Sequence, residues 1–210
     1  MPKRKGIFPK IKIIVYGSSH AMPHHHLPHH LQENFQNHSR FLEPDVYAES
    51  GAKIDPEFVE IVKEEITNQA QNPTAIVLIM GSNNTRNGDQ SPHEVLPLFE
   101  EIVHHGSHYP KCHVVLVSII PSPSTDHYSA GPFIETSNLL KELSKKEEYL
   151  HRVSFFNIAD KLLEEKNNFA RDLLHLSYEG ARIFAEGLKN HLEQRRQVCF
   201  SSNPSKIKKK

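Results

Sequence analysis

Hydrophobic residues in this chain come in short, dense runs that end abruptly in glycine and polar residues. The sharpest holds Ile11, Ile13, Ile14, Val15 and Tyr16 and is cut off by Gly17, Ser18, Ser19 and His20. A β-branched run without alternation predicts a strand buried on both faces, as in a parallel sheet. TAIVLIM (74–80), CHVVLVSII (112–120) and VSFFNI (153–158) repeat that pattern, and PDVYAES (44–50) is a weaker case ending at Gly51. Helical spacing fills the intervals. Residues 29–38 predict a helix packed by Leu31 and Phe35. From Asp55 the signal is stronger: Asp55 can cap, Pro56 suits the first helical position, and Glu57 suits the positive end of the dipole. Phe58, Val59, Val62 and Ile66 then share one face. Further helices are predicted over 92–105, 133–149 and about 158–166. The last covers 178–195, with Ala181, Phe184, Ala185, Leu188 and Leu192 along one side.

Alternating strands and helices imply parallel pairing through right-handed crossovers. The predicted fold is α/β: a three-layer α/β/α sandwich around a five-stranded parallel sheet of flavodoxin-like order 2-1-3-4-5. In that order the first strand lies at the switch point, so the loops after strands one and three meet at one crevice. Ser19 and the GSNN loop (81–84) are thereby brought together.

Length and charge narrow the classes. The 210 residues suit one α/β domain, and 25 Lys+Arg against 25 Asp+Glu give no global electrostatic case for nucleic acid. Basic MPKRK and SKIKKK read as flexible tails, 1–10 and 196–210, around a domain at 11–195; RNA contact or nuclear import is a second reading of them. Cys112 and Cys199 do not suggest a disulfide framework. No run looks like a signal peptide or reaches membrane-spanning length, so a cytosolic protein is expected.

The polar residues at the strand ends form a set with a chemistry. Ser19 is a candidate nucleophile, although Gly-Ser-Ser alone also fits a polar turn. His175 can be its base, with Asp172 holding Nδ1–H and leaving Nε2 to face the serine; singly, both fit a loop before a Ser177 cap. Asn83 can aim an amide N–H at an oxyanion, and the backbone N–H groups of Ser19 and Gly51 can add two more donors. The bland alternatives are a loop-bracing Asn83 and a Gly51 turn of positive φ. His20, Asn84 and Arg86 are candidate substrate contacts; for His20 and Arg86, solvated loop positions are the alternative. The loop 121–132, with Tyr128 and Phe133, could shape a substrate pocket. Five histidines (His24, His25, His26, His29, His30) crowd one segment, but zinc sites usually draw ligands from separate elements with Asp, Glu or Cys nearby. They read as a solvated or substrate-facing loop, and no metal is assigned.

In order and spacing these blocks resemble the SGNH (GDSL-type) hydrolase family. Gly17-Ser18-Ser19 is similar to its Gly-Asp-Ser block, Gly51 to its second-block glycine, Gly81-Ser82-Asn83-Asn84 to its Gly-x-Asn-Asp block, and Asp172-Leu173-Leu174-His175 to its closing Asp-x-x-His. The likeness spans about residues 11–192. It implies ester hydrolysis through an acyl-enzyme without cofactor. Ser19, Asp172 and His175 would form the triad; Ser19, Gly51 and Asn83 would form the oxyanion hole, acting on a small-acyl ester. The GSSH variant also resembles GDSH-type members, including esterase domains of some animal retrotransposon proteins. Ser18 and Asn84 stand where the family carries aspartates. Losing a loop-bracing carboxylate at Ser18 supports an alternative: a catalytically weak binding or assembly module of this fold, with RNA contacts from the basic ends.

Overall fold

A computed structural model of the chain describes residues 9–86, 89–123 and 130–200, with backbone alone for 197–199. Five strands pair in parallel: β1 (Lys12–Gly17), β2 (Asp45–Ala48), β3 (Thr74–Ile79), β4 (Cys112–Val117) and β5 (Val153–Phe156), in the order β2-β1-β3-β4-β5. The register sets Gly17 beside both Ala48 and Ile79. All three strands therefore end level, and the loops that follow them open at one edge.

The pleat divides the core in two. Ile13, Val15, Ala75, Val77, Val115 and Val117 face one way and pack under α1 (His26–Phe35) and α7 (Tyr178–Cys199). Ile14, Tyr16, Ile76, Leu78, Val114 and Leu116 face the other way, against α2 (Pro56–Asn68), α4 (Pro92–Ser107) and α5 (Ala130–Leu143). Burial on both faces is why these strands lack polar alternation. The expected three-layer sandwich and strand order are thus found.

Helix starts obey local chemistry. Asp55 accepts from the Phe58 N–H at 2.8 Å with Pro56 behind it, and Ser91 and Glu94 close a reciprocal capping box on α4. Ser177 caps α7 through the Gly180 N–H at 3.1 Å.

Several boundaries differ from expectation. Helix α1 begins at His26 rather than 29, because a turn closed by the His25 N–H on the Met22 carbonyl starts it early. The predicted 133–149 helix stops at Leu143 and is followed by a short 3-10 turn, Glu147–Tyr149. Helix α7 runs to Cys199, through the start of the expected tail at 196. Two short elements carry no periodic signal: a 3-10 turn at Ser19–Ala21 and the single-turn α3 (Ser82–Thr85). A further short helix, α6 (Ala159–Leu163), stands near its expected place. Residues 1–8 and 201–210 of the basic ends, and Tyr128 in the 121–132 loop, lie outside the described residues.

Candidate active site

Three strand ends are tied to one another before any side chain is considered. The Ser18 N–H donates to the Ile79 carbonyl at 3.3 Å, and the Glu49 N–H donates to the Gly17 carbonyl at 3.3 Å. The ends of β1, β2 and β3 therefore form one rigid rim. Immediately past it the chain turns so tightly that a Cβ on Gly17 would stand 2.4 Å from Ala21 Cβ. Only a residue without a side chain permits that approach. The turn lifts Ser19 to a half-buried position while Ser18 points inward, 1% exposed. Ser18 makes no side-chain cap bond to the turn.

The segment after β3 is joined to the loop after β2. Asn83 Nδ2 donates to the Ala52 carbonyl at 3.0 Å, which ties the GSNN segment to the residue after Gly51. An amide nitrogen carries two hydrogens, so this bond leaves one N–H to aim elsewhere. Gly51 has φ of 76° and meets nothing within 4 Å on its side-chain side, leaving its surroundings open.

His175 arrives on the loop before α7. That loop is fixed by its own bonds: Ala170 N–H to the His175 carbonyl at 2.8 Å, Leu173 N–H to the Ala170 carbonyl at 2.9 Å, and the Ser122 hydroxyl to the Leu173 carbonyl at 2.6 Å. Leu173 sits at φ 55°, a strained value for a leucine. Asp172 serves twice. Its Oδ1 accepts from the Leu174 and His175 N–H groups, both at 3.0 Å, and its Oδ2 meets His175 Nδ1 at 2.7 Å. Partial burial raises the carboxyl, but the ring and the two N–H donors outweigh it and bring its pKa down to about 2. The pair is therefore a carboxylate facing an N–H, and His175 Nε2 is the ring atom left for a substrate or nucleophile.

The serine corner and the histidine loop meet. The His20 ring lies edge-on to the His175 ring, centroids 5.7 Å apart. No hydrogen bond links the Ser19 hydroxyl to His175 in this arrangement, whose ring bond goes to Asp172. Such bonds are often long in the absence of substrate.

The remaining candidates are placed differently. His20 is 5% exposed; it faces a cavity of about 10 Å³ lined by Ile79, Met80, Ser82, Ser118, Ile119 and Ile120, and its Nδ1 has no hydrogen-bond partner among the described residues. Burial, then the nearby rings of His175 and His25, push its pKa down to about 4, so it is neutral and inward rather than a contact for an anionic group. Asn84 is fully buried, accepting from the Ile54 N–H at 2.9 Å and donating to the Ile54 carbonyl at 2.7 Å and Gln90 Oε1 at 2.6 Å. With its amide committed at both ends it braces the loop instead of meeting a substrate. Arg86 is exposed just past α3. Phe133 is buried in the core under α5, not at a pocket mouth. The histidines of 24–30 spread out: His24 on His25 at 4.3 Å, and His26 and His30 on Tyr178 at 5.4 and 4.4 Å. Among the described residues no three His, Cys, Asp or Glu side chains could hold a metal ion. No helix among them is long and apolar enough to cross a membrane.

Sequence spacing missed two participants. Ser122 comes from a Pro- and Ser-rich loop where any hydroxyl looks alike, and Ala52 contributes only a carbonyl. Neither leaves a readable signal.

No protein-family model matches the sequence, and no curated protein does. Solved structures do. The chain is similar to TesA (TM-score 0.68, 12% identity, covering 88% of this chain and 99% of that one). It is similar to a family 3 carbohydrate esterase from Clostridium thermocellum (TM-score 0.66, 14% identity, 90% and 99%). It is also similar to Est24, a carbohydrate acetylesterase from Sinorhizobium meliloti (TM-score 0.64, 14% identity, 88% and 99%). At such identities the likeness is one of architecture, and with the five-stranded 2-1-3-4-5 sheet it leads to one conclusion: the chain has the fold of the SGNH (GDSL-type) hydrolases.

Proposed function

We propose that this protein is a serine esterase acting on a small-acyl, acetyl-like carboxylic ester. The observation that carries the reading is the Asp172–His175 pair beside the Ser19–His20 corner, together with an Asn83 amide tied to the Gly51 loop. Ser19 Oγ attacks the ester carbonyl carbon while His175 Nε2 takes its proton. The carbonyl oxygen becomes an oxyanion facing the Ser19 and Gly51 N–H groups and the free amide hydrogen of Asn83. Collapse breaks the carbon–oxygen bond to the alcohol, which leaves with the proton from His175. Water then repeats the sequence on the acyl-serine and releases the acid. Asp172 keeps Nδ1 protonated throughout and stabilises the imidazolium.

Two of the structures of the same fold are named as carbohydrate esterases, which supports an ester substrate. The test is covalent labelling by a fluorophosphonate together with hydrolysis of p-nitrophenyl acetate. Label on Ser19, and loss of both label and turnover in Ser19→Ala with an unchanged fold, is expected. Undiminished turnover in Ser19→Ala would remove Ser19 from the role. The lack of a Ser19–His175 hydrogen bond favours a second reading, a binding module of this fold with little turnover. An unlabelled Ser19, with RNA binding lost on trimming 1–5 and 205–210, would select it.

A further inference from the structure

His25 has no part in the scheme above, yet its ring lies on His175, centroids 4.4 Å apart and planes 18° from parallel. Its own position is firmly set. The His25 N–H closes a turn on the Met22 carbonyl at 2.9 Å, and the residue directly precedes α1, which is pinned by fully buried Leu27, Leu31 and Phe35. The titratable groups around the His175 ring are His25 and His20 from the β1–α1 segment and Asp172 from its own loop. His24 stacks behind His25 at 4.3 Å, with His26 next in the chain. Desolvation first, then the charge of a protonated His175, lowers the proton affinity of His25. It is therefore a neutral flat ring at pH 7.

The covalent tether at Cβ and one hydrogen bond at Nδ1 hold an imidazole along one edge and still let its far edge, which carries Nε2, rock. A second ring lying on its face restricts that rocking. A neutral aromatic face also suits the imidazolium that forms once the serine proton has been taken. We propose that His25 is a positioning residue for His175, holding the imidazole in the plane that directs Nε2 at Ser19 while Nδ1 stays on Asp172. This rests on the reading of His175 as the general base.

The experiment compares His25→Ala and His25→Phe in the full chain. It follows kcat and KM on p-nitrophenyl acetate and the rate of Ser19 labelling by a fluorophosphonate. His25 makes no side-chain cap bond to α1, so its truncation removes no hydrogen bond from the fold. His25→Ala lowers kcat and the labelling rate at least tenfold with KM within twofold, since looseness of about 1 Å costs on the order of 100-fold. His25→Phe, which keeps the flat face and has no proton to give, recovers most of the loss. An Ala variant within twofold of the parent, or a Phe variant as slow as Ala, overturns the proposal. The underlying reading fails separately: a parent chain whose Ser19 is neither labelled nor needed for turnover overturns both, whereas a labelled, required Ser19 with an unaffected Ala variant overturns only the role of His25.

Discussion

Asn83 and Ala52 are joined by a hydrogen bond of 3.0 Å between the loops after β3 and β2. The bond does more than close a gap. It fixes the rotation of the Asn83 amide, and it holds the segment that carries Gly51, the other loop donor in the proposed oxyanion hole. Asn83→Ala removes a donor and the tie together. Its expected cost is on the order of 100- to 1000-fold in kcat, with a small change in KM. Asn83→Asp presents oxygen to the Ala52 carbonyl and should be no better. Steady-state kinetics on p-nitrophenyl acetate decide it; an Asn83→Ala variant with parental kcat removes Asn83 from the oxyanion hole.

Asp172 presents one oxygen to two backbone N–H groups and the other to the His175 ring. Asp172→Asn can keep the backbone bonds through its carbonyl oxygen, so the loop should fold as before. Its NH₂ would then face Nδ1, forcing the proton to Nε2, where it blocks attack. The expected fall in kcat is on the order of 10³- to 10⁴-fold in a variant that still folds, with only the modest drop in melting temperature that loss of the carboxylate's charge brings. A melting temperature that drops in step with activity would point to a folding role instead.

Gly17 allows the chain to double back under Ser19, with Ala21 Cβ 2.4 Å from where a Gly17 side chain would begin. Ala21 is fully buried and β1 is locked on both sides, so the strain from Gly17→Ala must fall on the Ser19–Ala21 turn. The variant should lose about 1–3 kcal/mol of stability. It should also lose activity beyond what the folded fraction explains, because the turn carries Ser19. Thermal melts and kcat on one preparation measure both; full activity in a fully folded variant contradicts the argument.

Acid should destabilise the protein from just below neutral pH. Under α7, Ser154 Oγ lies 2.8 Å from both His113 Nε2 and His191 Nε2. Burial foremost, with nearby cationic side chains, pushes His113 down to about 3 and His191 to about 4; His20 is held near 4 chiefly by burial. The unfolded chain binds protons at these residues near pH 6.5, and the folded chain refuses them. Stability is therefore complete above pH 6.5 and falls as pH drops toward 4, by up to about 1.4 kcal/mol per pH unit for each titrating group. Asp172 acts in a separate window: its lowered pKa contributes stability above the ordinary carboxylate range that is lost as pH approaches 2. Urea midpoints at pH 7.5, 5.5 and 4.5 should decline in order. A flat series would mean that the three rings are hydrated.

Strand order, the buried character of β1, β3 and β4, and the caps at Asp55 and Ser177 were legible in the chain. The burial and the caps depend on local composition: β-branched runs bury on both faces, and a capping side chain acts within three residues of itself. The grouping of Ser19 with the GSNN loop was legible for a topological reason, since alternating strands and helices leave few ways to order a parallel sheet.

What tertiary packing decided is how those residues spend their atoms. His20, Asn84 and Arg86 look alike as polar loop positions, but the fold buries the first beside a cavity, commits the second to Ile54 and Gln90, and leaves the third exposed. The stacking of His25 on His175 joins residues 150 positions apart, and no periodicity in a sequence encodes a meeting of that range. Sequence determines which elements form because their causes are short-ranged. Only the assembled fold sets which rings touch and which amides are already committed, because those depend on where whole helices come to rest.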